Sequence, residues 1–183
     1  MDYKIRLARE EDYPKIKKLQ EENHFNSVNN REKKEEGFVS VETDIFLLRE
    51  INELLGIIVV IKNEEIVAYE IPLDLDISRK ISLLNPFINL ILDLEYKSKK
   101  LSHYNFIIEG QICVKKGLKG QGIANELHKN FIERFKEKYD FIVTEVSDKN
   151  PRSLPVHKHK LGFSILKEYS AEGRHWYVLI QEI

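Results

Sequence analysis

Apolar residues recur along this chain with two periods, and the switches between them mark out the elements. Ile5-Arg6-Leu7 reads as a short opening strand. From Glu11 to Leu19 the spacing becomes helical, with Tyr13, Ile16 and Leu19 on one face and Lys15, Lys17 and Lys18 turned outward. Residues 26–37 are rich in Asn, Glu and Lys, which predicts a loop or a loose helix. A second helix is predicted over Thr43–Leu54, where Ile45, Leu48, Ile51 and Leu55 share a face and Thr43 or Asp44 is the N-cap. Ile57 to Ile61 is a β-branched run, Asn63-Glu64-Glu65 a turn and Ile66–Leu73 a strand, so 57–73 reads as a hairpin. Residues 76–96 read as an apolar helical stretch interrupted by Pro86, whose apolar side chains serve as extra core, a pocket wall or a dimer face.

The second half alternates more regularly. Strands are predicted over Phe106–Val114, Phe141–Val146, Phe163–Tyr169 and Trp176–Gln181, and helices over Gln121–Lys138 and Ser153–Lys160. Strands and helices in this mixture predict an α/β sheet with helices on both faces. The chain of 183 residues shows no repeat, low-complexity tract or linker, so one domain over 1–183 is expected.

Charge and cysteine content narrow the function classes. Basic and acidic residues nearly cancel, 29 against 30, which removes the electrostatic case for a nucleic-acid partner. The one cysteine, Cys113, rules out an intrachain disulfide and fits a reducing compartment. Charges in Met1–Arg6 leave no apolar core for a signal peptide, and the longest apolar run, Leu54–Ile61, is too short to span a bilayer. A cytoplasmic protein without a membrane partner is expected. His157 and His159 lie close together, but no cysteine or carboxylate follows at ligand spacing, so no metal is expected.

The most informative segment runs from Val114 to Leu127. A strand ends, a turn bearing Gly117, Gly120 and Gly122 follows, and an amphipathic helix begins. The first turn of a helix leaves backbone N–H groups without intrahelical partners, and the positive end of its macrodipole adds to the attraction for an anion. Gly120 and Gly122 let an anion reach that backbone, Ala124 is the next small residue, and Lys119 adds a cation with Lys115 and Lys116 nearby. The spacing is neither a P-loop nor a dinucleotide fingerprint.

Lys119-Gly120-Gln121-Gly122-Ile123-Ala124 resembles the acyl-CoA-binding motif of the GNAT superfamily of N-acetyltransferases, Arg/Gln-x-x-Gly-x-Gly/Ala. Lysine replaces the usual first Arg or Gln, and Lys116 stands where a proline is common. Ile5-Arg6-Leu7-Ala8 with Asp12, Ile16 and Leu19 resembles the family's opening, and Asn150-Pro151-Arg152-Ser153 with Lys160-Leu161-Gly162-Phe163 its second block. Residues 20–55 and 74–104 match least.

The resemblance implies a central mixed, twisted sheet of about six to seven strands flanked by helices, with a splayed strand pair for the cofactor. It implies acetyl-CoA as co-substrate and a primary amine as acceptor: a small molecule, an antibiotic, a polyamine, a peptide N-terminus or a protein lysine. A non-catalytic acyl-CoA sensor of the same fold is the alternative. Ile112, Cys113 and Val114 would pair with the pantetheine arm, and Lys119 through Asn125 (Gly120, Gln121, Gly122, Ile123 and Ala124 between) would hold the pyrophosphate. A backbone N–H at Cys113 or Val114 would polarise the thioester, and Asn150 would contact pantetheine or cap its turn. Glu145 would be the general base or a solvated strand-end carboxylate, with Glu109 the alternative base. Seven residues after Asn150, where the family often has a tyrosine acid, this chain has His157. The interval from His157 to Gly162 is one residue longer than usual, so Lys158 or His159 can also occupy that place. Tyr169 and Trp176 read as core or pocket wall, and a homodimer through the C-terminal strands stays open.

Overall fold

The computed structural model describes residues 3–171 and 173–183. Strands β1 (Lys4–Leu7), β2 (Ile58–Lys62), β3 (Glu65–Leu73), β6 (Phe106–Val114), β7 (Phe141–Ser147), β8 (Ser164–Ala171) and β9 (Arg174–Glu182) form one seven-stranded sheet, and β4 (Glu95–Tyr96) pairs with β5 (Lys99–Lys100). The helices are α1 (Tyr13–Asn23), α2 (Asn30–Glu35), α3 (Ile45–Leu54), α4 (Leu75–Ser78), α5 (Asn85–Asp93), α6 (Ile123–Phe135) and α7 (Ser153–Val156). The order in the sheet is β1-β2-β3-β6-β7-β9-β8. This is the mixed α/β sheet flanked by helices that the sequence predicts. The chain forms two compact units, Met1–Pro72 with Gln111–Phe131 and Leu73–Gly110 with Ile132–Ile183.

In the first unit β1, β2 and β3 form an antiparallel meander. Its tight turn places Asn63 and Glu64 at φ 50° and 64°, the left-handed pair that a two-residue hairpin loop requires. Helices α1 and α3 bury most of the predicted stripe, with Ile16, Leu48 and Ile51 fully covered, but Ile45 at the start of α3 is exposed. Asp44 is the N-cap of α3, accepting from the Leu47 amide at 2.8 Å. Thr43 is drawn away from that task because its amide donates to Gln20 Oε1 at 3.1 Å. Residues 30–35 within the polar stretch form α2, held by a reciprocal capping box between Asn29 and Glu32.

In the second unit the reading of 76–96 as one interrupted helix is corrected. Helix α4, a 3-10 turn over Ser82–Leu84 and helix α5 occupy most of the stretch, and Glu95 and Tyr96 begin a hairpin. Pro86 lies in the first turn of α5, where its missing N–H has no partner to lose, so it starts a helix instead of breaking one. The hairpin turns through Lys97 and Ser98 at φ 49° and 65°. Its Tyr96 meets the Phe141 ring edge-on at 5.2 Å between centroids, beside Tyr104 at 5.0 Å.

One buried carboxylate ties the opening of the chain together. Asp12 accepts from Arg6 Nη1 at 2.5 Å and from the Arg9 amide at 2.8 Å. Burial alone would raise the Asp12 carboxyl, but the bonds from Arg6 and Arg9 outweigh it and hold it below its ordinary value. A depressed folded value means that its stabilisation is present above the unfolded carboxyl pKa, about 3.9, and is lost as pH falls through the folded value. Asp12→Asn is therefore expected to cost about 2 kcal/mol at neutral pH, as hydrogen bonds to charged groups do. Urea melts of the two proteins should converge on acidification; an equal gap at every pH would contradict the ion-pair account.

Candidate active site

In the first unit, β6 leads into the glycine turn. The Lys115 amide donates to the Val67 carbonyl at 2.7 Å, and Leu118 N donates to Lys115 O at 3.1 Å to begin the bend. Gly117, Gly120 and Gly122 sit at φ 81°, 81° and 83°, a backbone region that side chains with a Cβ avoid. Gly122 ends the turn as the residue before α6, its carbonyl accepting from the Glu126 amide at 3.2 Å. The amides of Ile123, Ala124 and Asn125 thus open a helix of 13 residues with no carbonyl one turn back to receive them. Gly120, Gln121 and Gly122 are exposed, and a Cβ built on Gly122 would have no atom within 4 Å. The turn stands open to solvent ahead of α6, an exposed cradle of glycine backbone.

The three lysines meet carboxylates. Lys115 pairs with Glu65 at 2.6 Å and Lys116 pairs with Glu32. Lys119 donates to the Glu36 carbonyl at 2.7 Å and lies 3.7 Å from the Glu36 carboxylate. Helix α2 and its C-cap thus set two carboxylates against the cations flanking the cradle, so an arriving phosphate competes with them. Glu32→Gln is expected to tighten acetyl-CoA binding about two- to fivefold at low salt, because Lys116 then has no carboxylate to leave. Calorimetry at low and high ionic strength checks this, and the gain should fade as salt screens the charges.

Ile112 is half-buried on β6, and Cys113 and Val114 are buried. Burial pushes the Cys113 thiol up to about 11, against the opposing Lys119 charge and the Tyr69 hydroxyl. The side chain is a neutral thiol at physiological pH and no nucleophile. Beside it, Gln111 Oε1 accepts from Tyr69 Oη at 2.5 Å and Gln20 Nε2 at 2.9 Å, while its amide donates to the Val41 carbonyl at 2.9 Å. This network fastens α1 and the segment before α3 to β6.

In the second unit β6 and β7 run parallel and pair from Phe106↔Phe141 to Ile108↔Val143. Both strands continue past that register. Beyond its end the Thr144 hydroxyl donates to the Glu109 carbonyl at 2.8 Å, so a side chain takes the acceptor there. Glu109 and His157 are both buried and meet at 3.1 Å through His157 Nε2. His157 Nδ1 lies 2.9 Å from the Ser153 carbonyl and 3.2 Å from the Ser153 hydroxyl. One proton is shared between Nε2 and Glu109, since a bare imidazole nitrogen and a carboxylate would repel.

His157 opens a π turn over His157–Leu161, closed by Gly162 at φ 94° and by the Phe163 amide donating to the His157 carbonyl at 3.0 Å. A wide turn of this kind absorbs one extra residue, which accounts for the long interval before Gly162. It keeps His157 inside and leaves Lys158 and His159 exposed. Asn150 is buried at the bend before α7, where its carbonyl accepts from the Ser153 amide at 3.0 Å. Glu145 on β7 is largely covered and accepts from the Tyr169 hydroxyl on β8. Burial raises the Glu145 carboxyl to about 7, against the lowering effect of the Tyr169 bond.

Residues 5–163 match the family model described as the acetyltransferase (GNAT) family. The chain belongs to that family. Among solved structures, this GNAT protein is similar to the NatC complex bound to Gag peptide and CoA, at 16% identity over 100% of this chain and 99% of the other, with a TM-score of 0.66. A putative acetyltransferase from Salmonella typhimurium with its cofactor acetyl-CoA is similar at 15% identity, over 100% and 94% of the two chains, with a TM-score of 0.64. The ribosomal-protein-S18-alanine N-acetyltransferase from Escherichia coli matches at 12% identity, over 100% and 94%, with a TM-score of 0.63. At these identities the likeness is one of fold. No curated protein matches the sequence.

The residues of this GNAT protein that sequence reasoning missed are those defined by strand register or ion pairing. Tyr169, which the sequence reads as core or pocket wall, donates its hydroxyl to the Glu145 carboxylate. Glu32 and Glu36 lie in the polar stretch before α3, and only the fold shows them against Lys116 and Lys119.

Proposed function

We propose that this protein is an N-acetyltransferase, a single domain over 1–183, that moves an acetyl group from acetyl-CoA to a primary amine by direct attack. The observation that carries this reading is the turn of left-handed glycines feeding the open first turn of α6. Residues Lys119 to Asn125 hold the pyrophosphate, and Ile112, Cys113, Val114 and Asn150 engage the pantetheine arm. A Cys113 or Val114 amide stabilises the tetrahedral oxyanion; such a donor contributes about 2.7–4 kcal/mol in acyl transfer.

Glu145 is the general base in this reading. A carboxyl near 7 is ionised often enough at neutral pH to act and basic enough to take an ammonium proton. The amine nitrogen then bonds to the thioester carbon, the nitrogen of the tetrahedral intermediate loses its second proton to solvent, and collapse breaks the C–S bond. The departing thiolate resembles cysteine, with a pKa of about 8.5, so it takes its proton from solvent or from the proton that His157 shares with Glu109. Among the described residues no helix is long and apolar enough to cross a membrane, and the proposal places the enzyme in the cytoplasm.

Calorimetry with acetyl-CoA, CoA and ATP tests the cofactor assignment. Acetyl-CoA and CoA should bind in the micromolar range or tighter, and ATP, which lacks pantetheine, at least about tenfold more weakly. Equal binding of all three would reduce the site to a general phosphate cradle.

A further inference from the structure

Sheet register brings together two residues that lie far apart in sequence. Glu145 pairs with Val178 across the β7–β9 ladder, and Tyr169 pairs with Trp176 across the β8–β9 ladder. Directly paired residues of an antiparallel ladder share a face, and so do residues two apart on a strand. Glu145, Tyr169, Trp176 and Val178 therefore lie on one face, with the Tyr169 phenol crossing β9 to reach the carboxylate. Also on that face are Val143 and Ser147 on β7, Arg174 and Ile180 on β9, and Lys167 and Ala171 on β8. Val178 and Val143 are fully buried and Trp176 nearly so, while Glu145 beside them keeps part of its own surface open.

We propose that Tyr169 is a positioning residue for acyl transfer: its hydroxyl donates to Glu145 Oε2 and presents Oε1 to the attacking amine. The inference rests on Glu145 being the general base. Oε1 takes the ammonium proton before the C–N bond forms and later returns it to solvent, and Tyr169 keeps its own proton throughout. An anion beside buried apolar side chains is helped by a donor to persist as a carboxylate, and the phenol supplies one. Lys167 and Arg174 share the face, but no charged side chain of any strand contributes to the carboxyl's shift among the described residues; burial raises it and the Tyr169 bond opposes that rise.

The test compares wild type, Tyr169→Phe and Glu145→Gln, each first shown by circular dichroism to be folded. Isotope-edited NMR with glutamate labelled at the carboxyl carbon follows the Glu145 titration, and the Glu145→Gln spectrum assigns the resonance. Wild type should titrate near 7, and Tyr169→Phe about one unit or more higher, since it loses a charge-assisted bond. Transfer to the best amine of a panel (a peptide α-amine, spermidine and an aminoglycoside) should show the same movement of its acid limb. At pH 7 the variant should then be about fivefold slower or more, recovering most of the deficit by about pH 9. A merely structural tyrosine would lower activity equally at all pH and leave the limb in place, and an unmoved midpoint with inactive Glu145→Gln overturns the role of Tyr169 alone. Full activity in Glu145→Gln overturns the base assignment, and the positioning role falls with it.

Discussion

Gly122→Glu is expected to eliminate acetyl-CoA binding measurable by calorimetry while leaving a folded protein. Gly122 is exposed and a Cβ there meets nothing, so the added side chain creates no steric clash within the protein. Its φ of 83° does strain any L-residue, at about 1–2 kcal/mol. The carboxylate would stand at the mouth of the first turn of α6, in the place proposed for a pyrophosphate. Two like charges about 4 Å apart near a protein surface repel by about 4 kcal/mol, which corresponds to roughly a thousandfold in Kd. Gly122→Ala carries the same backbone strain without the charge. It should lose about the same stability and far less affinity, and equal losses of affinity in the two variants would mean that the turn's conformation matters rather than an anion above it.

Glu145→Gln is expected to lower kcat/KM about a hundred- to ten-thousandfold, the range that a general base contributes. Glutamine preserves shape and still accepts from Tyr169, but it cannot take a proton. The sign of the pH dependence follows from the role. A base works only when deprotonated, so wild-type activity should rise with pH through the Glu145 value of about 7. That limb should be absent from the variant, leaving only the titration of the amine itself. Acetyl-CoA affinity should be unchanged, since nothing assigns Glu145 to the cofactor. A variant that keeps the wild-type limb would move the base to another group, with Glu109 the first to examine.

What the sequence makes legible here are features written locally. The hairpin over 57–73 follows from a β-branched run and a polar turn. The cradle follows from three glycines ahead of a helical period, and the structure puts all three in the left-handed region. Glu145 stands out as a lone carboxylate in an apolar strand. The rest depends on distance along the chain. Pro86 looks like a break because an isolated pattern does not say whether a proline begins a helix or interrupts one. Tyr169 and Glu145 are brought together by two ladders that both run through β9, and no spacing rule connects them. The polar stretch around α2 has no apolar period to follow, yet its acidic residues meet the lysines of the cradle. The extra residue before Gly162 is visible as a length, whereas the π turn that absorbs it while keeping His157 buried is visible only in three dimensions.

The central claim is that the acetyl group leaves acetyl-CoA for an amine on this protein. It is tested most directly with acetyl-CoA labelled in its acetyl group, offered together with the panel of amines while label and thiol are followed separately. The account predicts that label disappears from the thioester and appears as an acid-stable amide on one class of amine, in amounts equal to the CoA released. Acetyl-CoA that binds while its label stays on sulfur in the presence of every amine would contradict it, and would make the protein a sensor of acyl-CoA instead of a transferase.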